Sequence, residues 1–173
     1  MQLQIFFSVF RWSAVCLSIL LVTIIANTAL AGEYTVGDVI EPIRLDDQHG
    51  MSRTVDVADK IILFSRDKKG ADLLKQGLQD VSLDCLREKD VVYVADISGM
   101  PRLIAWLLAI PRMRDLPYPI LLDRDGTQTA RLPDVEGQAT FIFIDRFSIT
   151  RIVHVADVPA VKRELDSASC EQE

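Results

Sequence analysis

The sequence predicts an α/β sandwich built on a mixed sheet, and three observations carry that prediction. Two short runs, 60–65 and 90–97, are almost wholly apolar and β-branched, the pattern of strands covered on both faces. An amphipathic helical pattern follows each of them. The last part of the chain instead places two extended runs, 140–145 and 148–155, back to back and ends in a capped helix. Strands linked through helices pair in parallel and a tight hairpin pairs antiparallel, so the sheet must be mixed.

The chain opens with an export pattern. Arg11 is the one charge before Glu33, the segment from Trp12 to Ile25 is apolar, and Ala29-Leu30-Ala31 gives the small-x-small signature of a cleavage site ahead of Gly32. Residues 1–31 are therefore expected to be a signal peptide, with an uncleaved membrane anchor as the alternative. Cys16 would leave with that segment. Residues 32–173 then form one domain, large enough to bury a core. Removal of Arg11 takes the formal net charge from −6 to −7. So acidic a chain argues against nucleic acid or a broad anionic lipid surface as partner, and no stable membrane insertion is expected after cleavage. The expected location is periplasmic or secreted.

Val36-Gly37-Asp38 and 43–50 read as short extended pieces closed by a turn at His49-Gly50. After the strand at Lys60–Ser65 comes a polar turn, Arg66-Asp67-Lys68-Lys69-Gly70. Ala71, Leu74, Leu78, Val81 and Cys85 then recur at helical steps, predicting one helix through Cys85 that ends near 85–89. Gly77 inside it costs about 1 kcal/mol relative to Ala, so packing must hold it. The strand at 90–97 is followed by Pro101 at a helix start, with Leu103, Ile104, Leu107, Leu108 and Ile110 filling the helix and Pro111 expected to stop it. Trp106 and its leucine-rich surroundings read as core, any exposed part being a partner surface. Ile120–Asp123 is a third strand, closed by Arg124-Asp125-Gly126. The hairpin turns at Arg146-Phe147, and Asp157 caps a final helix carrying Val158, Val161, Leu165 and Ala168 on one stripe.

Several pieces together carry a family likeness. Val36-Gly37-Asp38 and Leu45-Asp46-Asp47-Gln48-His49-Gly50 at the front, the strand 60–64, Leu121–Gly126, and Gly137-Gln138-Ala139-Thr140 ahead of 141–145 resemble the thioredoxin-like superfamily, in its exported thiol-oxidoreductase and peroxiredoxin-like branch. The resemblance implies a three-layer sandwich with a mixed central sheet flanked by helices, and covers nearly all of the chain after residue 31. It also locates two departures. The family's cysteine pair would fall near Arg66–Gly70, where no Cys occurs, and Ala139 stands where its cis-proline would be. A thiolate there would be stabilised by helix N–H groups and the helix dipole. Without sulfur, neither disulfide exchange nor peroxide reduction runs by the family's route. A cis bond before a non-proline residue costs about 2.5–4 kcal/mol, so trans is expected before Ala139.

Other chemistry is sparse. The same likeness implies that the first and last long helices share a face and run the same way, bringing Cys85 and Cys170 toward each other. In an oxidising compartment these two suggest a structural disulfide; otherwise Cys85 is a free buried thiol and Cys170 lies in a tail. Such a long loop would give at most roughly 4–5 kcal/mol. Neither cysteine falls at a predicted helix start. Arg66, Lys68, Lys69 and Arg102 form a candidate anion or ligand site at two helix N-termini, weighed against a solvated polar turn. His49 and His154 lack ligand spacing, Asp123–Gly126 lacks the later acid of a calcium loop, and neither Ser65 nor Ser98 has an assignable His. No catalytic residue, cofactor or metal is assigned. The function expected is a non-catalytic binding or accessory protein of the envelope, acting on an envelope protein or a small anion. The alternative is a thiol-dependent oxidoreductase or peroxidase-related enzyme using Cys85 or Cys170.

Overall fold

In the computed structural model, residues 32–167 are described. The chain enters at one edge of a seven-stranded sheet as a hairpin, β1 (Arg44–Asp47) and β2 (Ser52–Thr54). The Asp47 carboxylate shapes the turn by accepting the backbone N–H groups of His49 and Met51, both at 2.8 Å, with Gly50 at φ +85°. Next come β3 (Ile61–Ser65), helices α1 (Lys68–Gly77) and α2 (Leu83–Glu88), and β4 (Val91–Asp96). A helical segment, α3, runs continuously through Arg102–Ile104, Ala105–Ala109 and Ile110–Arg114. Strand β5 (Ile120–Asp123), the hairpin β6 (Ala139–Asp145) and β7 (Ser148–Val155), and α4 (Val158–Ser167) complete the chain.

Strand order is β2-β1-β5-β4-β3-β6-β7. Strands β3, β4 and β5 are parallel, while β1 joins β5, and β6 joins β3, in antiparallel register. The mixed sheet is thus as expected. The turn at Arg146 and Phe147 takes φ of 46° and 68°, the left-handed pair that matches the twist of a two-residue hairpin.

The two faces are covered differently. Ile61, Leu63, Tyr93 and Phe141 belong to a core with Leu74, Leu78, Leu86, Ala105, Ile110, Val161 and Leu165, so every helix contributes to it. On the other face Ile62, Phe64, Val94 and Ile142 meet Tyr34, Ile40, Ile43, Val55 and Leu132, all from segments outside the helices. Backbone bonds bind the first of these segments to the β6–β7 hairpin: Ile40 N–H to Phe147 O at 2.8 Å and Ile149 N–H to Asp38 O at 2.9 Å.

Three helix expectations need correction. The helix expected to run to Cys85 ends at Gly77, and a second begins after Ser82, whose hydroxyl accepts the Cys85 N–H at 3.1 Å. Gly77 is a contact residue: a Cβ there would lie 2.3 Å from Val161 Cγ1. Its absence lets α4 close against the end of α1. Pro111 does not stop α3. Ala105–Ala109, ending two residues before Pro111, form a π turn, closed by the bond from Ile110 N–H to Ala105 O. Proline has no N–H and crowds the carbonyl four residues back, and the wider turn relieves both constraints. Finally, Trp106 and its neighbours are not core; Leu103, Ile104, Trp106, Leu107 and Leu108 all face outward. Ala168 lies outside the described residues.

Candidate functional site at the start of helix α1

Strand β3 carries the chain from the buried Ser65 into Arg66-Asp67-Lys68-Lys69-Gly70. Ser65 Oγ lies 3.0 Å from Tyr93 Oη, and burial raises the tyrosine pKa far above its usual value. Within this turn, near which the resemblance would put the cysteine pair, the carboxylate of Asp67 stands at the helix start. One oxygen accepts the Gly70 N–H at 2.8 Å, an N-cap bond. The other accepts the N–H of Gly137, from the segment just before β6, at 2.6 Å. Both carboxylate oxygens are therefore spent on backbone.

The two segments are pressed together around that clasp. A Cβ on Gly70 would sit 2.3 Å from the Gln138 carbonyl oxygen, so only glycine lets the loop rest on the helix. The Lys69 stem lies over Gly137, where an added Cβ would come within 3.2 Å of its Cδ. Burial by itself would raise the Asp67 pKa. The backbone bonds from Gly70, Gly137 and Lys69, together with the Lys69 charge, outweigh it and hold the carboxyl below its ordinary value. The bond before Ala139 is trans.

Arg66 is a brace. Its Nη1 pairs with Asp134 at 2.8 Å, Nη2 donates to Thr129 O at 2.8 Å and Leu132 O at 3.3 Å, and the guanidinium lies 5.3 Å from the Phe64 ring centroid. Its buried Nε approaches Asp96 Oδ2 at 3.4 Å without hydrogen-bond alignment. Lys68 pairs with Asp72 one turn along the helix at 2.8 Å. Arg102 stands exposed at the start of α3 and makes no ion pair among the described residues. Of the four cations expected to gather around an anion, two are committed to carboxylates and Lys69 leans on Asp67. The helix N-terminus already holds an anion, and it belongs to the chain.

The sequence places Asp67 only within a polar turn. An Asp two residues after a strand and just before a helical pattern is an N-cap signal and could have been read as one. No local signal announces Asp134, Thr129 or Gly137, which reach the junction from more than sixty residues away.

The turn after β5 is self-satisfied. Asp123 accepts Gly126 N–H at 2.9 Å on one oxygen, and Thr129 N–H and Oγ1 at 2.8 and 2.9 Å on the other. Cys85 is half-buried in the first turn of α2, which corrects the expectation that it lies away from any helix start; Cys170 lies outside the described residues. A cavity of about 380 Å³ opens elsewhere, between the β1–β2 hairpin, α2 and the start of β5, lined by Leu63, Leu83, Leu86, Tyr93, Tyr118 and Pro119 among others. Burial pushes the Tyr118 hydroxyl up to about 12.

No protein-family model and no curated protein sequence matches the chain. Solved structures do. One is the peroxidoxin BcpB of Mycobacterium tuberculosis, with 19% identity, a TM-score of 0.55, and 82% of this chain against 100% of that one. Another is a putative thiol:disulfide interchange protein DsbE of Chlorobium tepidum, also 19% identical, with a TM-score of 0.54 over 80% of this chain and 97% of that one. A putative protein disulfide isomerase of Bacteroides thetaiotaomicron follows at 13% identity and a TM-score of 0.56, covering 79% and 91%. At such identities the likeness speaks for architecture alone: the chain has the thioredoxin-like fold, shared with thiol–disulfide oxidoreductases and peroxiredoxin-like proteins.

Proposed function

We propose that the chain is an exported, non-catalytic binding or accessory protein of the cell envelope. One observation carries this reading: the turn Arg66–Gly70, near which the resemblance would put the cysteine pair, presents Asp67 at the helix start, and both its oxygens are bonded to backbone. A carboxylate held below its ordinary pKa is a poor proton acceptor and has no redox chemistry. The N-terminal apolar segment and its small-residue site support export. A structural Cys85–Cys170 bond fits the same compartment, and the Lys89 Nζ bond to Leu165 O, which draws the end of α4 to α2, supports it. If a small anion is the ligand, Lys69 and Arg102 are the cations to bind it, since Arg66 and Lys68 already hold Asp134 and Asp72.

Insulin-disulfide reduction and hydrogen peroxide turnover, measured on the parent and on Cys85→Ser, test the reading. Background rates in both are expected. Turnover that disappears with Cys85→Ser or Cys170→Ser favours the thiol enzyme instead.

A further inference from the structure

The exposed helix α3 has a composition unlike the rest of this acidic chain. Arg102–Arg114 contains three arginines, and no Asp or Glu occurs between Asp96 and Asp115, although the chain has 25 acids against 19 bases. Ala105 and Ile110 pack into the core and Met113 leans on it. The opposite side presents Leu103 (71% exposed), Trp106 (69%), Leu107 (58%), Leu108 (52%) and Ile104 (47%) to solvent. Neither Arg102 nor Arg112, both exposed, forms an ion pair among the described residues.

We infer that this face docks on an anionic lipid bilayer, lying in the plane of the headgroups. The helix would sink its leucines, Ile104 and Trp106 to the acyl boundary while the arginines at both ends reach phosphates, the geometry of an interfacial amphipathic helix. Tryptophan is favoured at that depth because its ring is apolar and its N–H is polar. At 13 residues the helix is about 20 Å long, which suits lying on a membrane and falls short of spanning one. Charge argues against a second copy as occupant: two such helices packed face to face would bring arginine against arginine, whichever way they ran. The apolar run at 12–25 directs the chain to a membrane whether it is cleaved or kept. The inference goes beyond the accessory reading and does not depend on the chain being non-catalytic.

Residues 33–173 form a compact unit containing the whole sheet and both cores, so they can be tested without the apolar N-terminus. Trp12 and Trp106 are the chain's two tryptophans, which leaves Trp106 as the reporter in that unit. With phosphatidylglycerol-containing vesicles the Trp106 emission is expected to shift blue and the protein to sediment with lipid. Both effects should be much weaker with phosphatidylcholine alone. Leu107→Gln with Leu108→Gln, on solvent-facing positions that leave the thermal melt unchanged, should lower partitioning at least tenfold. Arg102→Gln with Arg112→Gln should lower it by about thirtyfold on anionic vesicles. Three results overturn the inference: no binding at any lipid composition, binding indifferent to the leucine pair, or a concentration-dependent blue shift without lipid, which would mark a contact between copies.

Discussion

Replacing Asp67 by Asn separates a clasp from an ordinary helix cap. As N-caps, Asn and Asp are nearly equal, so a simple cap predicts no change. The structure predicts a loss, because the two carboxylate oxygens accept two different N–H groups, from Gly70 and from Gly137. An amide has one oxygen. Whichever way it turns, its NH2 faces one of those donors, and a charge-assisted bond becomes a donor–donor contact. A hydrogen bond to a charged group contributes about 1.5–3 kcal/mol; because Asp67 is only half-buried, solvent screening lowers this to about 1–2 kcal/mol. Urea titration at about pH 7 reads the difference directly. The pH dependence adds a second check. The folded-state pKa of Asp67 is lowered, so its contribution is complete above the unfolded value and is lost as pH falls through the folded one. Once protonated, Asp67 also has an O–H on one oxygen and resembles Asn, so parent and variant should converge once the pH has fallen through that folded value. An Asn variant as stable as the parent near neutrality, or a gap unchanged in acid, refutes the clasp.

Three further expectations rest on close packing and on sulfur. Gly77→Ala should destabilise by about 1–3 kcal/mol although Ala is the better helix former, because its Cβ meets Val161; adding Val161→Ala should recover part of that loss, and strict additivity in the double-mutant cycle would count against the contact. Gly70→Ala should cost at least as much, since the Gln138 backbone carbonyl has less freedom to move than a side chain, and a thermal melt within about 1 °C of the parent's would contradict it. Thiol counting on the unfolded, unreduced chain 32–173 should find none if Cys85 and Cys170 are bonded; two free thiols eliminate the bond.

The sheet was legible because its strands carry their own signal. The continuous apolar runs of β3 and β4 can only be doubly covered strands, and Asp157 before Val158 marks a helix start, with its carboxylate accepting the Ala160 N–H at 2.7 Å. The helices were less legible where packing overrides periodicity. Leu74, Leu78, Val81 and Cys85 keep helical spacing across a break that Gly77 and Ser82 impose, and hydrophobicity around Trp106 signalled burial that the fold does not provide. For the candidate site, the sequence showed a turn without Cys at 66–70 and the cluster of charge. It did not reveal that the cluster is neutralised from within, since Asp134 and Gly137 arrive only by tertiary folding.

The unequal covering of the two sheet faces bears on how the chain folds. On the helical face, α1 sits against the strand that precedes it and α2 against the strand that follows it, so much of that core closes over short loops. The other face becomes dry only when Tyr34, Ile40 and Ile43 meet Leu132 and Ile149, from opposite ends of the domain. Bringing such distant segments together carries a large loop-closure entropy before any contact repays it. Closure of this face therefore belongs late in folding, after β6 and β7 have formed the surface to which residues 37–40 attach. Until that step the helix-free face stays open to solvent while the core under the helices is already closed, so the first and last parts of the domain remain free of one another longest.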